Sequence, residues 1–97
     1  MIKSFKLGAV TWDVNFNNDR TAGQDALGLC SYVEASIYVA EKARGKLVDL
    51  EVQEQTVYHE VIHAMLDAIG YNELGEDEKF VNSMGTLLHQ FIKTKKE

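Results

Sequence analysis

His59-Glu60-Val61-Ile62-His63 is the stretch of this chain whose residue types and spacing can do metal chemistry. His59 and His63 are four residues apart, so on a helix they share one face about one turn apart. Two imidazoles at that spacing bind one zinc ion. Glu60 beside them is placed to act as general base on a water that the metal polarises. On an ordinary helix the same pattern would be two half-exposed histidines and a surface carboxylate.

A catalytic zinc needs a third protein ligand, with water in the fourth position. The candidates are His89, Asp67, Glu73, Glu76, Asp77 and Glu78. Asp67 shares the face of His59 and His63, but it lies about 12 Å from His59 along a straight helix, which suits an outer position or solvent better than one ion. Glu78 and His89 share a face of a later helix about 16 Å apart, so one ion takes at most one of them. For His89 an interfacial or exposed histidine is the simpler expectation. Spacing alone does not choose the third ligand.

These side chains need positioning elements. Lys6 to Phe16 alternates apolar and polar in part and predicts one or two strands. Residues 17–25 are polar and turn-rich and read as a loop. Gly28 to Ser31 opens a second β region, and Glu34 to Val39 predicts a strand with Ile37 and Val39 on one face and Tyr38 on the other. Ala40 to Lys46 reads as a loop or a short helical turn. Asp49 is the expected N-cap of a long helix that Gly70 ends. Val57, Val61, Ala64, Met65 and Ala68 form one apolar stripe on it, and Tyr58, Ile62, Leu66 and Ile69 form a second. Thr56, His59, His63 and Asp67 fill the remaining polar wedge, as a helix lining a site should. Tyr71 to Glu76 reads as a loop. Asp77 to about Lys93 reads as a helix with Phe80, Val81, Met84, Leu87, Leu88 and Phe91 on a wide apolar face. Gly85 inside it implies a close approach of another helix.

The chain has 97 residues, which makes one domain over 1–97 with a modest core, and a formal net charge of −5. Acidic balance argues against nucleic acid as a partner, since phosphate binding needs clustered cations. The only basic cluster, Lys93, Lys95 and Lys96, fits a helix C-terminus. No apolar run approaches the roughly 20 residues of a membrane span, and the first residues do not resemble a signal peptide. The single Cys30 fits a reducing cytoplasm and reads as a small packing residue.

Over residues 27 to 92 the chain resembles the minimal zincins of the ImmA/IrrE type and their small phage- and mobile-element-borne relatives. The resemblance rests on Gly28-Leu29-Cys30 before Ile37-Tyr38-Val39, on Gln55 to Leu66 around His59-Glu60-Val61-Ile62-His63, and on Gly70 and Glu76 to Val81. It implies an α+β minimal zincin fold: a small, mostly antiparallel sheet packed against the His-Glu-x-x-His helix and a C-terminal helix. It implies zinc held by His59, His63 and Glu78, since such proteins take the third ligand from a run like Glu-x-Phe-Val early in the following helix. The chain departs from the pattern in a short spacer and in Lys79 and Asn82, where acidic residues are common.

The expected function is zinc-dependent hydrolysis of peptide bonds in an intracellular protein, with Glu60 as the catalytic base. A protein or peptide substrate is expected along strand 36–39, read as a sheet edge to which an extended chain adds. Tyr58, Tyr71 and Tyr38 are candidates for stabilising the oxyanion. The alternative is a non-catalytic zincin-fold interaction or regulatory module. A DNA-linked protease of the SprT type fits less well, because the chain is acidic and lacks a zinc-ribbon cysteine set. Oligomeric state stays open at this level.

Overall fold

The computed structural model describes residues 1–18, 20–21 and 26–97. The loop expected over 17–25 therefore lies in part outside the described residues. The architecture is α+β, as expected, with a small, mostly antiparallel sheet and helices.

Among the described residues, six strands precede the helices: β1 (Ser4–Leu7), β2 (Val10–Phe16), β3 (Gly28–Ser31), β4 (Ser36–Val39), β5 (Lys42–Ala43) and β6 (Lys46–Leu47). The main sheet has the order β1-β2-β4-β3. β1 and β2 form an antiparallel hairpin, β2 and β4 run parallel, and β3 pairs antiparallel to β4 with Cys30 opposite Ile37. Thus β4 is paired on both sides, and β1 and β3 are the edges. This corrects the expectation that strand 36–39 offers an edge to a peptide. Its sequence explains the interior place: Ile37 and Val39 are wholly buried, the pattern of a strand inside a core. Residues 40–46 also differ from expectation, since β5 and β6 form a short hairpin of their own.

α1 (Leu50–Ala68) lies against the sheet. Trp12 and Val14 of β2, Ile37 and Val39 of β4, and Val57, Val61 and Ala64 of α1 form one buried cluster. Burying each Val or Ile there stabilises the fold by about 1.5–3 kcal/mol. Asp49 stands at the N-cap, but its side chain makes no capping bond; Gln53 Nε2 instead donates to the Val48 carbonyl at 2.9 Å. At the other end Gly70 has φ +79°, a conformation other residues adopt only with strain. Its N–H donates to Asp67 O, and that of Tyr71 to Leu66 O, so the last carbonyls of α1 are satisfied.

The expected 71–76 loop contains one helical turn, α2 (Asn72–Gly75). α3 (Glu78–Thr94) follows, capped by the Asp77 carboxylate, which accepts from Phe80 N–H at 3.1 Å. Ile62, Leu66 and Val81 are buried between α1 and α3. Gly85 is the close approach its sequence position implied: a Cβ there would lie 3.0 Å from His59 Cα. The packed helix backbone must shift to relieve that contact, so Gly85→Ala is expected to cost about 1–3 kcal/mol of stability. It is also expected to displace α3 beside His59. Chemical denaturation of variant and parent measures the first effect, and metal affinity reads the second.

Candidate metal centre

Three elements meet where the edge of β3, the middle of α1 and the start of α3 converge. From α1 come His59 and His63, half-buried, with ring centroids 5.2 Å apart. From α3 comes Glu78. Its Oε2 lies 3.2 Å from His59 Nε2 and its Oε1 lies 3.4 Å from His63 Nε2. The two histidines of the motif and the Glu that the resemblance implied are therefore brought together, and their ligand atoms form one group that could hold a metal ion.

The spacing is compatible with a metal ion between the three residues. A charged N–H···O pair closes to about 2.7–2.9 Å. A tetrahedral ion with bonds near 2.0–2.1 Å holds its ligand atoms roughly 3.3 Å from one another. Two nitrogens and a carboxylate are also a donor set that zinc accepts. Burial pushes the His63 imidazole below its usual pKa, partly opposed by Glu78. A neutral imidazole is the form that binds metal. Glu78 stays 66 % exposed, so one side of the group opens to solvent.

Glu60 lines the same cavity as the two histidines, packs against Gly28 of β3 and is 7 % exposed. Loss of solvent, and then the charge of Glu78, push its carboxyl up to about 7. A base with that affinity for protons is suited to work near neutral pH. Gly28 permits this packing: a Cβ at Gly28 would lie 2.5 Å from Thr56 Cγ2 and 3.1 Å from Glu60 Oε2. The Thr56 hydroxyl donates back to Val52 O at 2.7 Å, which leaves its methyl toward the strand.

Two adjoining cavities open at the group. One, about 300 Å³, is lined by Cys30, Tyr32, His59, Glu60, His63 and Glu78 among others. The second, about 360 Å³, runs past Gly28 to Leu27, Val52 and Asn82. A larger cavity of about 660 Å³ lies elsewhere, near Thr21 and Lys42, and no His, Cys, Asp or Glu is among the described residues lining it. Burial pushes the Cys30 thiol up to about 12, so it is a neutral wall of the cleft, consistent with a packing role.

Tyr32 escaped sequence reasoning. It lines the ligand cavity, and its ring meets Trp12 edge-on with centroids 6.5 Å apart. It sits in the turn between β3 and β4, where no periodicity marks a side chain. The tyrosines considered from sequence lie elsewhere: Tyr58 stacks on His89, Tyr38 bonds to Glu34 under Arg20, and Tyr71 is exposed. None of the three lines the ligand cavity.

His89 is engaged away from the group. Its Nδ1 lies 2.7 Å from Gln55 Oε1 and its Nε2 lies 2.7 Å from Glu54 Oε1. It forms a second group of possible ligands with Glu51 and Glu54, but Lys93 Nζ already stands 3.4 Å from Glu54. The sequence candidates Asp67, Glu73, Glu76 and Asp77 belong to neither group. Glu78→Ala is therefore expected to weaken metal binding by more than the roughly 10–100-fold that loss of an outer partner costs. His89→Ala is expected to leave affinity within a few-fold while destabilising the α1–α3 contact by about 1–3 kcal/mol. Titration against a competing chromophoric chelator orders the two, and the reverse order would make His89 the ligand. Comparison with known proteins finds no matching protein family, curated sequence or solved structure.

Proposed function

We propose that this chain is a zinc-dependent peptidase that hydrolyses peptide bonds of a protein in a reducing, cytoplasmic setting. The observation that carries the reading is the convergence of His59 Nε2, His63 Nε2 and the Glu78 carboxylate at 3.2–3.4 Å, with buried Glu60 beside them. A divalent ion held by those three residues would supply Lewis acidity to a water and to the scissile carbonyl. Glu60 takes the proton of the attacking water and returns it to the departing amine. Tyr32, on the wall of the same cavity, offers a phenol O–H to the developing oxyanion.

The substrate lies extended along β3. Among the described residues that strand pairs only with β4 in the sheet, and Gly28, Leu29 and Cys30 line the cavity with the candidate ligands. Backbone hydrogen bonds to a free edge hold a peptide without regard to its sequence, while the adjoining cavities sort its side chains. The second reading, a metal-binding interaction module without turnover, draws on the exposure of the cleft at Glu78. Hydrolysis of a protein or peptide library by metal-loaded parent, against the same protein carrying Glu60→Gln, tests one reading against the other.

A further inference from the structure

We propose that α3 carries a self-association surface, along which two copies of this chain pair antiparallel through Phe80, Met84, Leu87 and Phe91. Toward α1 the helix buries Val81, Gly85 and His89. Phe80 and Leu88 pack against the Ile62, Leu66 and Val81 cluster, but Met84, Leu87 and Phe91 stand largely outside it. Met84 is 42 % exposed, Leu87 59 % and Phe91 62 %, with Phe80 half-buried at the near end. At about 100° per residue these four form a stripe roughly a third of a turn round from the buried one. Their spacing of four, three and four residues is the heptad seam by which one helix packs on another. Contiguous apolar surface of this kind marks an interaction site.

The occupant follows from the symmetry of the stripe. A two-fold interface must be complementary to itself, so each residue has to suit the residue the axis brings opposite. An axis crossing α3 between Gly85 and Thr86 brings Phe80 opposite Phe91 and Met84 opposite Leu87. The same axis sets the acidic approach to the helix (Glu73, Glu76, Asp77) toward its basic exit (Lys95, Lys96). Parallel pairing would instead put like charges together. Lys95 also contacts Glu97 within the chain at 3.1 Å, but both are exposed, and such a pair is weakly held.

Glu78 lies on another side of α3, about 150° from the seam, so pairing leaves the metal ligands of both copies accessible. The inference thus stands whether or not the chain hydrolyses anything. Four residues a side make a small interface, so dissociation is expected in the micromolar range.

Sedimentation equilibrium from about 5 µM to 1 mM tests it. The parent should pass from monomer to dimer over that range, and Leu87→Glu should weaken association at least about tenfold. Leu87 is 59 % exposed, so the helical circular dichroism should not change; Phe91→Asp serves as a second break in the same seam. Polarity is read with charge reversals. Glu76→Lys and Lys95→Glu should each weaken self-association, and an equimolar mixture of the two should associate more tightly than either alone. A parent monomeric throughout, a dimer indifferent to both seam variants, or a mixture no tighter than its components would each overturn the proposal.

Discussion

Glu60→Gln is expected to leave the metal bound and to lower peptide hydrolysis by about 10²–10⁴-fold, the usual worth of a positioned acid–base group. Gln keeps the shape of the side chain and one hydrogen-bonding oxygen but cannot take a proton at working pH. Glu60 is not among the converging ligand atoms, so metal content should match the parent. The variant also reports on burial. In the metal-free protein the Glu60 carboxyl is raised to about 7, by desolvation first and by Glu78 second. Between the ordinary carboxyl value and 7 the folded chain holds a proton that the unfolded chain has lost. Stability therefore falls as pH rises through that window and is lowest above it. At pH 8 metal-free Glu60→Gln should be more stable than the parent, by an amount on the order of 2–3 kcal/mol. Near pH 4 the two should coincide. Denaturant titrations at the two pH values check this part. Parent and variant that bind one partner equally well, with neither hydrolysing it, would select the interaction-module reading.

The second large effect is on the metal itself. Protein purified without chelator is expected to carry about one zinc per chain, and His59→Ala with His63→Ala should abolish it. Elemental analysis of both proteins decides the matter: unchanged metal in the double variant would remove the site. Both histidines are half-buried on α1 and belong to neither core cluster, so the double variant should remain folded. The cluster of Trp12, Ile37, Val39, Val57 and Val61 includes neither histidine, so the fold is expected to survive loss of the ligands, unlike that of a zinc finger. Loss of metal and loss of fold can thus be told apart by circular dichroism.

Elements governed by local spacing are legible in the order of residues alone. α1 and α3 follow from apolar residues at helical intervals, the end of α1 from Gly70, and the β1–β2 region from alternation. What escaped was set by small numbers of residues or by partners distant in sequence. The β5–β6 hairpin and the single turn of α2 are too short for a period to show. Tyr32 sits in a turn, and its relevance comes from the cavity wall it shares with residues of α1 and α3.

By itself, the sequence determined that His59, Glu60 and His63 lie on one helix, because the apolar stripes around them repeat at helical intervals on both sides. It also implied, through Gly85, that another helix passes close to α1. Tertiary structure decided the rest of the site. It set Glu78, the candidate the resemblance implied, within 3.2–3.4 Å of the two imidazoles and engaged His89 elsewhere, because α3 crosses α1 at Gly85 with its entry beside the imidazoles. It buried Glu60 under Gly28, since a strand without a side chain can approach that carboxylate. It exchanged the expected edge, β4, for β3, because hydrogen bonding between strands joins residues far apart in the chain and no single segment records which neighbour it will have.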